Sequence, residues 1–235
     1  MRALRRLERH ELTWLAVGFG VCLFLLLFAL LASEVAEGNT QALDVKVVRS
    51  FRSAADPARP IGPEWLELSV VDVTSLGSFT VLAIVTLAVT GLLVLQSRYR
   101  TALFVAATVA SGDLANFVLK RLFNRPRPSI VPHLRMMTPS FPSGHAMESA
   151  IVYLTLGAVL MRVAERRSTK IYCLSVAVLL TVLVGISRVY LGVHYPTDVI
   201  AGWTVGFLWA GLCWLVAERF ERPTIEAERR ETKNE

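Results

Sequence analysis

A chain of 235 residues with 54% hydrophobic content, a formal net charge of +6 and a pI near 9.6 stands well away from the soluble average. Its long apolar runs cannot be hidden beneath so little polar covering, which excludes a soluble globular domain and points to a membrane protein. The positive charge falls in short clusters between those runs, not along one amphipathic face, which speaks against a nucleic-acid partner.

In chain order the runs cover residues 12–32, 75–96, 101–119, 146–161, 171–186 and 199–217. Most approach the roughly 20 residues needed to cross a bilayer core of about 30 Å, and the shorter fourth and fifth borrow flanking polar residues. The expected fold is all-α, a polytopic bundle of six transmembrane helices. Arg2, Arg5, Arg6 and Arg9 precede the first span, Arg98 and Arg100 follow the second, and Arg162, Arg166, Arg167 and Lys170 follow the fourth. The positive-inside rule makes these cytoplasmic, so the expected location is the inner (cytoplasmic) membrane with both termini facing the cytoplasm. The connection 33–74 then falls outside, and its seven acids against four bases agree.

The layout expected is a cytoplasmic N-terminus (1–11), one membrane domain (12–217) and a solvated, mixed-charge cytoplasmic tail (218–235). The first run is too long for a cleaved signal peptide and reads as an anchor. Within the outer connection, Trp65, Leu66, Leu68, Val70 and Val71 lie either in the headgroup zone or in a plain structured loop. Cys22, Cys173 and Cys213 fall inside spans without paired spacing, so they read as apolar packing residues.

The connection between spans three and four breaks the charge rule, because it puts Lys120, Arg121, Arg125, Arg127 and Arg135 on the outer side. Cations crowded there call for an anion or for headgroup anchoring. Pro142-Ser143-Gly144-His145 opens the fourth span, and Ser187-Arg188, His194 and Asp198 lie between the fifth and sixth. Odd-numbered connections share one side, so two histidines, several cations and a carboxylate converge.

Lys120, six residues, Arg127-Pro128, then Pro142-Ser143-Gly144-His145, then Ser187-Arg188, five residues, His194, three residues, Asp198 resembles the three motifs of the type 2 phosphatidic acid phosphatase superfamily. The resemblance covers roughly residues 74–217, with the motifs at 120–198. It implies a membrane lipid phosphatase acting on a phosphomonoester or diphosphate such as undecaprenyl diphosphate, phosphatidic acid or phosphatidylglycerol phosphate. It also implies a phosphohistidine intermediate on His194 and no metal or other cofactor.

The residue chemistry runs beside the resemblance. Asp198, four residues after His194, can accept from one imidazole nitrogen and leave the other free to attack phosphorus. His145 can protonate the leaving alkoxide and later deprotonate water. Lys120, Arg127 and Arg188 match the family's phosphate-binding positions. Ser143 and Gly144 open a helix, where backbone N–H groups and the helix dipole favour an anion. No carboxylate cluster offers a metal cage.

Two acids within spans stand apart. Asp113 shares a helix face with Asn116 and Lys120, and either orients the lysine or pairs with polar neighbours in the bundle. Glu148, one turn after His145, either tunes that histidine, meets a substrate hydroxyl or is a satisfied intramembrane carboxyl. Phe141, Tyr190 and Tyr195 read as interfacial anchors, and Arg125 and Arg135 as contacts to a second phosphate or headgroup. The expected partners are the lipid phosphate substrate and membrane lipids. Two other functions fit parts of the pattern: a non-catalytic transporter or sensor for an anionic lipid, and an enzyme similar to the vanadate-dependent haloperoxidases, which are soluble.

Overall fold

The computed structural model describes residues 9–129 and 138–231. These form α1 (Arg9–Ala36), α2 (Gln41–Ser50), α3 (Glu64–Ser75), α4 (Phe79–Leu95), α5 (Tyr99–Phe123), α6 (Gly144–Val163), α7 (Arg167–Tyr190) and α8 (Pro196–Glu231). The fold is all-α. Among the described residues five helices are long and apolar enough to cross a membrane, and α3 with α4, bent by 47° at a short break, makes a sixth where the pair is counted as one span. The second expected span, 75–96, is thus α4, and α3 precedes it across the bend from within the expected outer connection. With 17 residues, α4 rises only about 25 Å, less than the apolar core of about 30 Å. Its N-cap Ser78 accepts from Val81 N–H at 3.3 Å, so the break carries its own cap.

Packing follows the logic of helices in lipid. Large apolar side chains face outward, among them Leu87, Leu103, Leu122 and Leu179. Small and hydroxyl residues face inward, and α6 buries Gly144, Ser149, Ala150, Thr155 and Gly157 along with Met147, Ile151 and Val152. With lipid on one side and protein on the other, apolarity alone does not choose the inner face; close backbone approach does. Gly202 and Gly206, one turn apart on α8, provide it. A Cβ at Gly202 would stand 2.6 Å from Ser143 O, and one at Gly206 would stand 2.6 Å from Ala150 Cβ.

Because α5 to α8 alternate in direction, the end of α5, the start of α6, the end of α7 and the start of α8 share one end of the bundle. Phe141, just before α6, is fully buried between Phe28 of α1 and Phe123 of α5, with ring centroids 6.1 and 4.9 Å away. Such aromatic pairs contribute about 0.5–1.5 kcal/mol each beyond burial, and here they pin the chain entering α6. Tyr190 and Tyr195 are buried as well, so all three aromatics are core residues and not the interfacial anchors expected of them. Trp65 and Leu68 on α3 are exposed. The helix α8 continues past the last expected span, as far as Glu231.

Candidate active site

The backbone at the end of α7 dictates where His194 stands. Gly192 adopts φ 71°, Gly192 N–H donates to Val189 O at 3.0 Å and Val193 N–H donates to Arg188 O at 3.2 Å. This pair of bonds is the Schellman closure, which needs a left-handed residue where Gly192 sits. Arg188 therefore lies in the last turn of α7, and His194 follows immediately after the reversal. Pro196 then starts α8, where a missing N–H costs nothing. Asp198 reaches back to accept from Tyr195 N–H at 2.8 Å, the acidic half of a capping box. The spacing from Arg188 through His194 to Asp198 is thus the spacing of a helix stop followed by a helix start.

His194 is 1% exposed, and its partners determine its tautomer. Arg127 Nη1 lies 3.1 Å from Nε2; a guanidinium only donates, so Nε2 presents its lone pair. The ring proton then resides on Nδ1, which lies 3.4 Å from both Ser140 Oγ and Asp198 Oδ2. The Ser140 hydroxyl itself donates to Asp198 Oδ2 and offers its oxygen to Nδ1–H. Burial lowers the His194 pKa to about 3, with Asp198 opposing the shift and Arg127 and Arg188 adding to it. The imidazole is neutral at physiological pH, the state in which Nε2 is a nucleophile.

Behind Asp198 stands a buried network. Arg125 Nη1 donates to Asp198 Oδ1 at 2.7 Å and Nη2 to Asp44 Oδ2 at 2.7 Å. Arg125 also meets Thr197 Oγ1 at 2.8 Å and Gln41 Oε1 at 3.2 Å, and lies over the Tyr195 ring at 4.4 Å. Burial works against its charge, but Asp198 and Asp44 more than offset that and hold the guanidinium above its ordinary range. Arg125 is therefore committed to two carboxylates and is not the contact to a second phosphate that its sequence position suggested. Arg135 lies outside the described residues.

The cations occupy the other side. Lys120, in the last turn of α5, donates to Pro139 O and Pro142 O at 2.9 Å each, which ties it to the chain entering α6. Arg127 is fixed by Thr138 O at 2.8 Å and Val193 O at 3.0 Å. Arg188 donates to Thr74 Oγ1 at 3.0 Å, while its buried Nε has no hydrogen-bond partner. His145, second residue of α6, lies within electrostatic reach of Arg188, His194, Arg127 and Lys120. Lys120, Arg127, Arg188, His145, His194 and Asp198 are thus gathered at one place.

At the start of α6 the two flanking residues differ from each other. Ser143 N–H donates to Asp198 O at 2.9 Å, so that N–H does not face a phosphate as the helix start suggested. Its hydroxyl is buried without a partner. At Gly144 a Cβ would stand 2.9 Å from Asn116 Nδ2 and 3.4 Å from Lys120 Cε, so glycine is what allows α5 to close on α6 here. Asn116 donates to Glu148 Oε1 at 2.6 Å; it does not link Asp113 to Lys120. Both Asp113 and Glu148 border a cavity of about 280 Å³ between α4, α5 and α6.

Ser140, Thr197, Thr138, Thr74 and Asp44 carried no signal in the sequence. Only Ser140 and Thr197 stand near a motif, and Asp44 reaches Thr197 Oγ1 at 2.6 Å across 153 positions. Among the described residues no group of three or more His, Cys, Asp or Glu is placed to hold a metal ion.

Residues 101–222 match the PAP2 superfamily, a span of just over half the chain that contains all three motifs. The chain belongs to the PAP2 superfamily. Among its relatives is the phosphatidylglycerophosphatase B of Bacillus subtilis, 30% identical over 191 residues that span 80% of this chain and 89% of that one. The undecaprenyl-diphosphatase of Sulfolobus acidocaldarius is 36% identical over 105 residues, 44% of this chain and 46% of that one. The crystal structure of a transmembrane PAP2-type phosphatidylglycerolphosphate phosphatase from Bacillus subtilis superposes with a TM-score of 0.76 at 30% identity, covering 85% of this chain and 96% of that one. Multiple apolar helices together with these PAP2 relatives make the chain a multi-pass membrane protein.

Proposed function

We propose that this PAP2 protein is a membrane lipid phosphatase that hydrolyses a phosphomonoester or diphosphate through a phosphohistidine on His194. The observation that carries the reading is the fixed orientation of His194. Its Nε2 presents a lone pair toward Arg127, and Nδ1–H is turned to Ser140 and Asp198. The names of its relatives, a phosphatidylglycerophosphatase and an undecaprenyl-diphosphatase, support a lipid phosphate as substrate.

In the first step Nε2 attacks phosphorus, the bond from phosphorus to the lipid oxygen breaks, and His145 gives that oxygen a proton. In the second, water attacks the phosphohistidine while His145 takes its proton, releasing inorganic phosphate and restoring His194. Lys120, Arg127 and Arg188 meet the charge on the phosphoryl oxygens, with the Ser143 hydroxyl and the N–H of Gly144 beside them. Three fixed cations balance that charge without a metal, so activity persists in EDTA. The clusters at Arg98 and Arg100 and at Arg162 to Lys170 lie at the opposite end of the bundle from the site. The positive-inside rule then supports cytoplasmic termini in the inner membrane, an extracytoplasmic site, a single membrane domain over 12–217 and a tail over 218–235.

The test is phosphate release from purified lipid phosphates in detergent with EDTA present, using phosphatidylglycerol phosphate, phosphatidic acid and undecaprenyl diphosphate. Wild type is expected to release phosphate, and His194→Ala and His145→Ala to fail while still binding lipid. Wild-type turnover by His194→Ala would sink the proposal.

A further inference from the structure

Asp198 offers four acceptor positions, and its neighbours fill them unevenly. Oδ2 receives Tyr195 N–H, the Ser140 hydroxyl and Nδ1 of His194. Oδ1 receives Arg125 at 2.7 Å. A carboxylate turns easily about its last torsion, whose minimum is broad and two-fold. Contacts to Oδ2 alone leave the plane of the group free to swing about that atom, and a swing moves the lone pair away from Nδ1. Fixing Oδ1 removes that freedom.

Arg125 is in turn fixed from an unexpected direction. Asp44 belongs to α2, in the outer connection and far from the three motifs, yet it is fully buried. It accepts from Arg125 Nη2 at 2.7 Å, from Thr197 Oγ1 at 2.6 Å and from Thr197 N–H at 3.2 Å. Gln41, one turn earlier, accepts from Arg125 at 3.2 Å and donates to the Tyr195 hydroxyl at 3.1 Å. One guanidinium therefore bridges two buried carboxylates. Without Asp44, Arg125 would be drawn toward Asp198 alone, and Nη2 would keep only the longer bond to Gln41 Oε1. A buried ion pair is costly to make, and removing one partner strands the other. Its retention beside a working carboxylate calls for a positional reason.

We propose that the Asp44–Arg125 pair is a positioning device for the Asp198 carboxylate, so that α2 forms part of the catalytic apparatus. The inference rests on His194 and Asp198 being the nucleophile and its orienting acid. It differs from two plain alternatives. A structural clasp for α2 would affect stability without a separate effect on the chemical step, and a phosphate ligand would change anion affinity.

Asp44→Asn, which keeps the shape of the side chain, Arg125→Met and Arg125→Lys are compared with wild type, His194→Ala and Arg127→Ala. Steady-state kinetics on a lipid phosphate give kcat and KM, competition by orthovanadate gives anion affinity, and thermal melting reports folding. Folded Asp44→Asn and Arg125→Met are expected to lose about 10- to 100-fold in kcat, with KM and vanadate inhibition within about twofold of wild type. Arg125→Lys should recover part of the loss, and a double variant combining Asp44→Asn with Arg125→Met should be no slower than Arg125→Met alone because both changes act through one group. Wild-type kcat in a folded Asp44→Asn protein would overturn the proposal. So would a loss of vanadate affinity in Arg125→Met equal to that of Arg127→Ala. Turnover by His194→Ala would instead remove the underlying assignment, so the two failures are separable.

Discussion

The two sides of the His194 ring are built differently. On the Nδ1 side, the Asp198 carboxylate, the Arg125 guanidinium, Thr197 and Asp44 meet one another at 2.6–3.2 Å in a buried network. On the Nε2 side stands Arg127, and among the groups gathered around the site Arg188 Nε and Ser143 Oγ are buried with no hydrogen-bond partner. A buried donor without an acceptor costs about 1–3 kcal/mol, and several cations held together add mutual repulsion. One side has its orientation satisfied within the protein; the other holds donors that an anion would satisfy. This is the arrangement expected where a base must be aimed beforehand and charge must be met during reaction.

The comparison breaks most visibly if its centre is removed. His194→Asn should lower lipid-phosphate turnover by about 10³-fold or more, measured as released phosphate, with folding retained. Arg188→Ala takes a donor from the unsatisfied side and should cost about 10²–10³ in kcat, the loss seen when one fixed donor of a developing charge is deleted. It should at the same time leave the fold as stable as before or more so, by thermal melting, because a crowded cation is gone.

Packing beneath the site gives a smaller effect. Gly206→Val would force a side chain to within 2.6 Å of Ala150 Cβ and should destabilise by about 1–3 kcal/mol. Gly91→Ala meets open space and should leave the melting temperature unchanged. A pH series on the folded protein probes the satisfied side. The His194 pKa is lowered to about 3, whereas an unfolded histidine titrates near 6.5. Below that value the unfolded chain takes up a proton that the folded site refuses, so stability falls as pH falls. From pH 6.5 to pH 5 His194 should contribute a loss of about 1–2 kcal/mol, and His194→Asn should remove that share of the slope. The smallest effect belongs to Glu148→Gln, whose amide can keep a hydrogen bond with Asn116; kcat should change by less than about threefold.

Much of the fold and the gathering of the site was legible because both are written in local patterns. Apolar runs of bilayer length locate the helices, and charge clusters set their alternation. Lys120, His145, Arg188, His194 and Asp198 stand at helix termini, where the alternation alone brings them to one end. What stayed hidden depends on contacts between distant residues. Asp44 sits in a ten-residue helix of mixed composition, and nothing in its neighbours reveals a partner more than 150 positions away. Arg125 looked like one more cation in a basic loop, since spacing cannot tell an arginine facing phosphate from one buried between carboxylates. The bend between α3 and α4 was missed because Leu76, Gly77 and Ser78 read as the start of an apolar run, and only the cap at Ser78 separates the two helices.

Trapping the covalent intermediate tests the central claim most directly. Enzyme incubated briefly with a radiolabelled lipid phosphate is quenched in alkaline detergent, where a phosphohistidine survives, and the labelled peptide is mapped. Label on His194 in the wild type and none in His194→Ala is the result expected. Label on another residue, or phosphate release by His194→Ala at the wild-type rate, would contradict it.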